Sequence, residues 1–175
     1  MITQPLYTHY TSDDHQLLNA SINKEWRREI IKQPQIPIEP EKGWDMNFVS
    51  GQANPIGLKF DLQWDGKIGR GEFTPNEFHQ GWSGIVHGGI IECLLDEAMA
   101  WTAWYEGVNA VTAATQVRFR RPAKIDEPLV ITSSIIRKRR NLLEAEAKVS
   151  LKDGTLIAES TSTMLIVSPV QEKTK

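Results

Sequence analysis

The densest hydrophobic pattern follows Gly89, where sixteen consecutive residues up to Tyr105 contain neither proline nor glycine. An uninterrupted run of this length is what a long helix requires. Apolar side chains occupy nearly its full circumference, so we expect the rest of the fold to wrap around a buried helix. The apolar positions are Ile90, Ile91, Cys93, Leu94, Leu95, Ala98, Met99, Trp101, Trp104 and Tyr105.

Period-two patterns on both sides of this helix predict strands. Residues 59–64 alternate between polar and apolar side chains, and Asp65-Gly66, a pair that favours tight turns, leads into residues 67–74, which together predict a hairpin. Residues 75–86 are rich in turn formers and predict a loop. Beyond Gly107, which should stop the helix, short loops join further strands and favour antiparallel pairing. These strands are predicted over residues 111–120, 129–137, 142–151 and 156–167.

The N-terminal region has a helical pattern of its own. Thr11 or Ser12 can cap a helix whose apolar residues recur from Leu17 to Ile31, before Pro34 begins an extended linker. We therefore predict an N-terminal helical arm with a proline-rich linker, one main domain and a flexible tail. Their predicted boundaries are residues 1–44, 45–168 and 169–175.

Composition narrows the class of protein. The length of 175 residues predicts one domain. The net charge of −2 gives no basic surface of the kind that nucleic-acid-binding proteins carry. The single cysteine, Cys93, has no partner in the chain, which favours a reducing compartment. Residues 1–10 lack an apolar signal core, and no run reaches transmembrane length. We expect a cytoplasmic protein with neither nucleic acid nor a membrane as a partner.

Three acidic residues, Glu92, Asp96 and Glu97, lie within the apolar helix. Because buried carboxylates are costly unless they are paired or used, we look for chemistry on this helix. Glu92 and Asp96 share a face, and their repulsion would disfavour ionisation of one of them if both were poorly solvated. Glu97 points elsewhere and is expected to be structural. Taken alone, Asp96 would be interpreted as a satisfied buried acid.

Four motifs follow one another in the central part of the chain: N-P-I-G-L at 54–58, H-Q-G-W-S-G-I-V-H-G-G-I at 79–90, L-L-D-E-A-M at 94–99 and V-R-F-R-R-P-A at 117–123. In this order they resemble the PaaI-type hot-dog acyl-CoA thioesterases, over roughly residues 45–167. The resemblance implies an α+β hot-dog fold, in which an antiparallel sheet wraps around one long helix. It also implies hydrolysis of acyl-CoA thioesters by a homodimer or a dimer of dimers. No metal and no cofactor are expected, with coenzyme A entering only as part of the substrate.

The resemblance also implies catalytic residues. The carboxylate at the position of Asp96 activates water or attacks the thioester directly, and Thr112 matches a Ser or Thr position that often holds the water. Gly88 and Gly89, at the positive end of the helix, can present N–H groups to an oxyanion. The alternative is that these glycines only permit a tight turn from the loop into the helix. His87 is expected to hold the loop by hydrogen-bonding the backbone, with an acid–base role as the alternative.

The sequence departs from the family pattern at Gly81, where some members carry an Asn or Gln that supports the oxyanion site. Either the glycines suffice, or Gln80 or Ser83 substitutes. Basic residues after the helix can meet the CoA phosphates, although a basic turn is usually a solvated surface. Trp82, Trp101, Trp104 and Tyr105 can line an acyl pocket, although aromatic residues on such a helix are most often core. The expected substrate-binding residues are Gly81, Trp82, Ser83, Glu92, Arg120, Arg121 and Arg139.

The spacing of Gly88 and Asp96 predicts a shared site. Eight residues of helix separate them by about 12 Å, whereas reacting groups must converge to roughly 3–3.5 Å. Two antiparallel helices across a two-fold axis can place Gly88 of one chain opposite Asp96 of the other, which gives two sites per dimer.

Two other functions stay open from the sequence. A hot-dog hydratase or dehydratase would pair a loop histidine, here His79, with Glu92 or Asp96. A non-catalytic acyl-CoA-binding protein is supported by the departure at Gly81. The acyl group itself is not predicted.

Overall fold

The computed structural model describes residues 43–169, which lie within one compact unit. The predicted N-terminal helix and most of the predicted tail lie outside the described residues, and the three domain boundaries stay predictions. The described residues form one long helix, α1 (Gly88–Tyr105), two 3₁₀ helices (Trp44–Met46 and Glu77–His79) and eight strands. The strands are β1 (Gln63–Trp64), β2 (Gly69–Phe73), β3 (Gln80–Trp82), β4 (Ile85–Val86), β5 (Val108–Phe119), β6 (Leu129–Arg139), β7 (Leu142–Leu151) and β8 (Leu156–Pro169).

Six strands form one antiparallel sheet in the order β1-β2-β6-β7-β8-β5, and α1 packs against it. The helix follows the first hairpin, and the four long strands come after it, as the hydrophobic pattern predicts. The helix ends where predicted, since Gly107 adopts a left-handed φ of 80° just beyond it. An antiparallel sheet around one long helix is the hot-dog architecture, so the predicted fold class is confirmed.

Strand β5 forms one edge of this sheet. It pairs with β8 from Val108, opposite Pro169, to Phe119, opposite Ala158. Its other side pairs with none of the strands in residues 43–169. This edge is twelve residues long and contains neither proline nor lysine, the residues that commonly protect an exposed edge. A long edge strand without these residues can serve as a template for pairing with another strand.

The first hairpin forms, but its first strand is shorter than the alternating pattern predicts. Leu58, Phe60 and Leu62 are buried as expected, yet only Gln63–Trp64 is strand. Lys59 interrupts the extended backbone with a φ of 59°. Its ammonium group donates to the carbonyl groups of residues 51, 52 and 54, which offsets the cost of the left-handed conformation.

The predicted loop over residues 75–86 contains more structure than expected. It forms the second 3₁₀ helix and a small hairpin of β3 and β4. Gly84 makes the turn with a φ of 76°, and the side-chain oxygen of Gln80 accepts its N–H at 3.0 Å. Strands of two or three residues are too short to show an alternating pattern, and so the sequence did not reveal them.

Helix α1 is buried on one face, not on all sides as the sequence predicts. The sheet covers one side of the helix, and the aromatic residues of its last turns pack mainly against one another and against Trp44. Trp101 and Trp104 have ring centroids 5.4 Å apart, and Trp44 lies 5.5 Å from Trp101. Tyr105 remains 38% exposed. The fully buried face consists of Ile91, Leu94, Leu95, Ala98, Met99, Thr102 and Ala103.

Candidate active site

His87 caps the beginning of α1. Its Nδ1 accepts the N–H of Gly89 at 2.9 Å, and its own N–H donates to the carbonyl of His79 at 2.8 Å. Gly81 lies against the ring, because a Cβ added at that position would be 2.9 Å from His87 Cδ2. The geometry fits the holding role expected for His87. It also gives a reason for glycine at position 81, since any side chain there would displace the ring.

This cap separates the two glycines predicted for the oxyanion site. The Gly89 N–H is already engaged by His87, whereas the Gly88 N–H makes no hydrogen bond with the described part of the chain. Gly88 is the first residue of the helix, where the dipole favours negative charge. The ring of Phe119, at the end of β5, lies beside it, 3.4 Å from where a Cβ would be. Gly88 is therefore the better placed oxyanion donor.

Asp96 and Thr112 are brought together from α1 and β5. The Thr112 hydroxyl donates to Asp96 Oδ1 at 2.6 Å. Asp96 is half-buried, and it accepts no other side-chain hydrogen bond from residues 43–169. The β5 register shifts between Thr112 and Ala114, and such bulges often re-aim side chains beside active sites.

A single chain does not bring Asp96 to Gly88. Both residues lie on the continuous helix α1, eight positions apart. At the usual helical rise this separation is about 12 Å, several times the distance at which groups react. One chain therefore keeps the Gly88 amide apart from the Asp96–Thr112 pair, and these are the two half-sites of the predicted shared site.

The other residues predicted around the site have varied surroundings. Gln80, considered as a substitute oxyanion donor, has its side-chain oxygen committed to the turn at Gly84. Ser83 is exposed. Glu92 is exposed as well, so the condition stated for strong repulsion between Glu92 and Asp96, that both are poorly solvated, does not hold. Trp82 is 83% exposed and available to a substrate.

The predicted phosphate-binding residues fall into two groups. Arg120 and Arg121 follow β5 at the end that lies beside Gly88, and Arg120 pairs with Glu159. Arg139 lies at the other end of the sheet, because it is opposite Leu142, Leu142 is opposite Leu165, and Leu165 is opposite Val111 near the beginning of β5. Arg120 and Arg121 therefore lie near Gly88, whereas Arg139 lies level with the Asp96–Thr112 pair along the strands but three strands away from β5.

His79 does not form the pair that a hydratase would need. Its Nδ1 accepts the N–H of Asn76 at 2.9 Å, and its ring lies 5.2 Å from that of Phe73. Partial burial lowers the pKa of His79, which favours the neutral ring. No hydrogen bond joins it to Glu92 or Asp96 within residues 43–169.

Glu97, for which the sequence predicts a structural role, has the most distinctive environment of the three acidic residues on the helix. Ser50 Oγ donates to its Oε1 at 2.5 Å, and Trp101 Nε1 donates to the same oxygen at 3.0 Å. Asn47 Nδ2 lies 3.4 Å from its Oε2. Desolvation raises the pKa of Glu97, and these three donors oppose that shift. The spacing of Glu97 and Trp101, four residues apart on a helix, is the sequence signal that could have indicated this site.

Glu97 also lines a cavity of about 140 Å³. One wall is formed by Trp44, Asn47 and Ser50, and another by α1 through Glu97, Trp101 and neighbouring residues. The beginning of β5, residues 108–111, closes a third side. The cavity thus combines indole rings with a carboxylate.

Comparison with known proteins supports the architecture and indicates a family. A model of the thioesterase superfamily matches residues 83–158. The protein named acyl-coenzyme A thioesterase 13 from Mus musculus is 32% identical over 95 residues, which cover 53% of this chain and 68% of the mouse protein.

Two solved structures share the fold at lower identity. A Streptococcus mutans protein bound to acetyl CoA superposes with a TM-score of 0.61 at 19% identity, over 64% of this chain and 91% of that one. The PaaI protein of E. coli, from the phenylacetic acid degradation operon, gives a TM-score of 0.61 at 18% identity, over 65% and 84%. Within residues 43–169, no helix is long and apolar enough to cross a membrane.

Proposed function

The chain belongs to the thioesterase superfamily and is a thioesterase with the PaaI-type hot-dog fold, and from this premise we propose that it hydrolyses acyl-CoA thioesters to a free acid and CoA. The name of the mouse relative and the acetyl CoA bound to the S. mutans protein support this substrate class. The observation that carries the proposal is the hydrogen bond from Thr112 to Asp96, which orients a carboxylate with a second oxygen available for chemistry.

Asp96 acts on the thioester carbonyl. As a general base it takes a proton from water while the resulting hydroxide attacks the carbonyl carbon; the C–S bond then breaks and the CoA sulfur receives the proton. As a nucleophile its carboxylate forms an anhydride as CoA leaves, and water then cleaves the anhydride. Thr112 fixes the carboxylate in either case. The mechanism requires neither a metal nor a cofactor.

The Gly88 N–H binds the oxygen of the thioester carbonyl as negative charge develops on it. The amide lies at the positive end of α1, and its N–H makes no hydrogen bond with the described part of the chain. A fixed donor in such a position typically contributes about 2.7–4 kcal/mol to lowering the barrier.

Two copies of the chain assemble each site. Antiparallel pairing of the β5 edges, which pair with no further strand of residues 43–169, would set the two α1 helices antiparallel across a two-fold axis and place Gly88 of one chain near Asp96 of the other. The 12 Å separation within one chain is thereby overcome. The same arrangement brings Arg139 of the chain that supplies Asp96 to the end where the other subunit carries Arg120 and Arg121. Arg120 and Arg121 lie beside this end of the site and meet the CoA phosphates, with Arg139 three strands farther from the pairing edge.

The test is release of CoA thiol from a panel of short-chain, long-chain and aromatic acyl-CoAs. We expect wild type to turn over part of the panel and Asp96→Asn to lose roughly 10²–10⁴-fold in kcat while acyl-CoA affinity survives. Asp61→Asn, at an exposed position outside the site, is the matched control and should keep wild-type rates. Full activity in Asp96→Asn would refute the assignment of Asp96, and no turnover by folded wild type would refute the substrate class.

A further inference from the structure

Glu97 is a carboxylate with unused hydrogen-bonding capacity. A carboxylate offers about four acceptor sites. Ser50 and Trp101 occupy Oε1, whereas Oε2 has only the 3.4 Å contact with Asn47. No lysine or arginine of residues 43–169 forms an ion pair with Glu97. A partly buried carboxyl group whose Oε2 can accept a further hydrogen bond is best matched by a ligand that donates one.

The surroundings hold this acceptor in place. Asn47 Oδ1 accepts the N–H groups of residues 49 and 50, which fixes Ser50 opposite Glu97. Lys59 donates to the carbonyls of residues 51 and 52 and secures the rest of the same loop. Since the loop and α1 are both anchored, the carboxylate is preorganised before any ligand arrives.

The cavity beside Glu97 limits the size of what it can hold. Its volume is about 140 Å³, and an apolar cavity of roughly 150 Å³ accommodates a molecule the size of benzene. Trp44, Trp101 and Trp104 supply the aromatic surface, with centroids 5.4–5.7 Å apart. These rings touch one another, so a ligand lies against the cluster and not inside it. A short chain or a single ring fits.

The cavity adjoins the proposed catalytic pair on both elements. Glu97 follows Asp96 on α1, and Val111, which lines the cavity, precedes Thr112 on β5. A thioester carbonyl held at Asp96 therefore has the cavity within reach of its acyl group.

We propose that this cavity holds the far end of the acyl group and that Glu97 selects acyl groups ending in a hydrogen-bond donor, a hydroxyl or an ammonium group. The inference rests on the proposed function. An acyl group with an apolar end would shield Glu97 Oε2 from water and leave the 3.4 Å hydrogen bond from Asn47 as its single side-chain partner, which costs desolvation free energy. A donor supplies a second partner to Oε2, and an ammonium group also supplies positive charge beside the indole rings.

The test compares acyl-CoAs that differ only in their last group. Butanoyl-, 3-hydroxypropanoyl- and 3-aminopropanoyl-CoA end in methyl, hydroxyl and ammonium on the same chain; heptanoyl-, 6-hydroxyhexanoyl- and 6-aminohexanoyl-CoA repeat the series with longer reach. We expect kcat/KM to favour a donor end over methyl by roughly ten- to hundredfold in the series whose length fits. The ratio of hydroxyl to ammonium identifies which donor the site takes.

The variant Glu97→Gln keeps the size of the side chain and removes its charge. It should reduce the preference for ammonium at least tenfold while turnover of the methyl-ended substrate changes little. Glu106→Gln, an exposed acid at the end of the same helix, makes the same change in net charge and should keep the wild-type ratios. Loss of all activity in Glu97→Gln with a native melting temperature would overturn the selecting role, because Glu97 would then be needed for the chemistry.

Failure of the inference is distinguishable from failure of the proposed function. If wild type hydrolyses methyl-ended and donor-ended substrates equally well in both series, the selecting role is overturned and the thioesterase stands. If it hydrolyses none of them, the same six groups carried on non-hydrolysable ketone analogues of the thioester are titrated by calorimetry. A donor preference in affinity that Glu97→Gln abolishes would support the role of Glu97, and equal affinities would overturn it.

Discussion

The shared site makes a quantitative prediction for mixtures of two inactive variants. One variant is Asp96→Asn, which removes the base or nucleophile. The other is Gly88→Pro, which removes the Gly88 N–H. Proline is tolerated at the first position of a helix, and the preceding residue, His87, already has the extended backbone that proline requires, with φ −63° and ψ 134°. Gly88→Pro should therefore fold, and its kcat should fall roughly 10²–10³-fold.

Mixing the two chains restores intact sites only if each site spans two subunits. Random assembly makes about half of the dimers mixed, and each mixed dimer carries one intact site out of two. The mixture should thus recover about a quarter of wild-type activity, far above either variant alone. If both functional groups of a site came from one chain, no combination of these variants would contain an intact site.

The assay is thiol release after the two chains are unfolded together and refolded, with each variant alone treated in parallel. Gly88→Ala is the matched control, since alanine keeps the N–H and its Cβ would meet only Phe119, at an ordinary 3.4 Å. A mixture of Asp96→Asn with Thr112→Val is the negative control, because both residues belong to the same half-site. A mixture of Asp96→Asn and Gly88→Pro that stays at the mean of its components, although mixed dimers are present, would refute the shared site.

Three further predictions follow from single contacts. Thr112→Val removes the donor at 2.6 Å from Asp96 and should lower kcat about ten- to 150-fold, the equivalent of roughly 1.5–3 kcal/mol. Thr112→Ser keeps the hydroxyl and should retain most of the wild-type rate. Equal rates in wild type and both variants would contradict a role for this hydrogen bond. Gly81→Ala places a Cβ 2.9 Å from His87 and should lower the free energy of unfolding by about 1 kcal/mol in urea titrations, and an unchanged midpoint would count against the packing. Desolvation raises the pKa of the Glu97 carboxyl group above its ordinary 4.5, so the folded state binds the carboxyl proton more tightly than the unfolded chain does. The contribution of Glu97 to the free energy of unfolding therefore falls as pH rises above 4.5. The stability of Glu97→Gln relative to wild type should therefore increase from pH 4 to pH 8 in urea titrations, and a constant difference would contradict the shift.

The element order could be predicted from the sequence because each long element has a clear period and a clear end. Helix α1 lacks breakers until Gly107, and β7 occupies the residues predicted for it, from Leu142 to Leu151. Strands β3 and β4 could not be predicted, because two or three residues are too few to show a hydrophobic period. The left-handed backbone of Lys59 was also not foreseeable, because a lysine adopts it only when distant carbonyls hold its ammonium group.

The Asp96–Thr112 pair was expected from the family pattern, and the structure places the two side chains in contact. The environment of Glu97 was not expected, since it depends on Ser50 and Asn47, nearly fifty residues away in the chain. Spacing within a helix reports which residues share a face. It does not report what a distant loop will place against that face.

Asp96 and Glu97 show how one turn of helix can serve chemistry and recognition at once. Consecutive residues point about 100° apart around a helix axis. Asp96 therefore turns towards Thr112 on β5, while Glu97 turns towards the loop that carries Ser50. The first environment leaves a carboxylate half-exposed beside one hydroxyl, which suits attack on a carbonyl. The second surrounds a carboxylate with donors and indole rings, which suits holding a ligand group still. Because the two carboxylates have separate partners, a substitution at Glu97 that leaves α1 in place is expected to change substrate selection while the contact between Asp96 and Thr112 is kept.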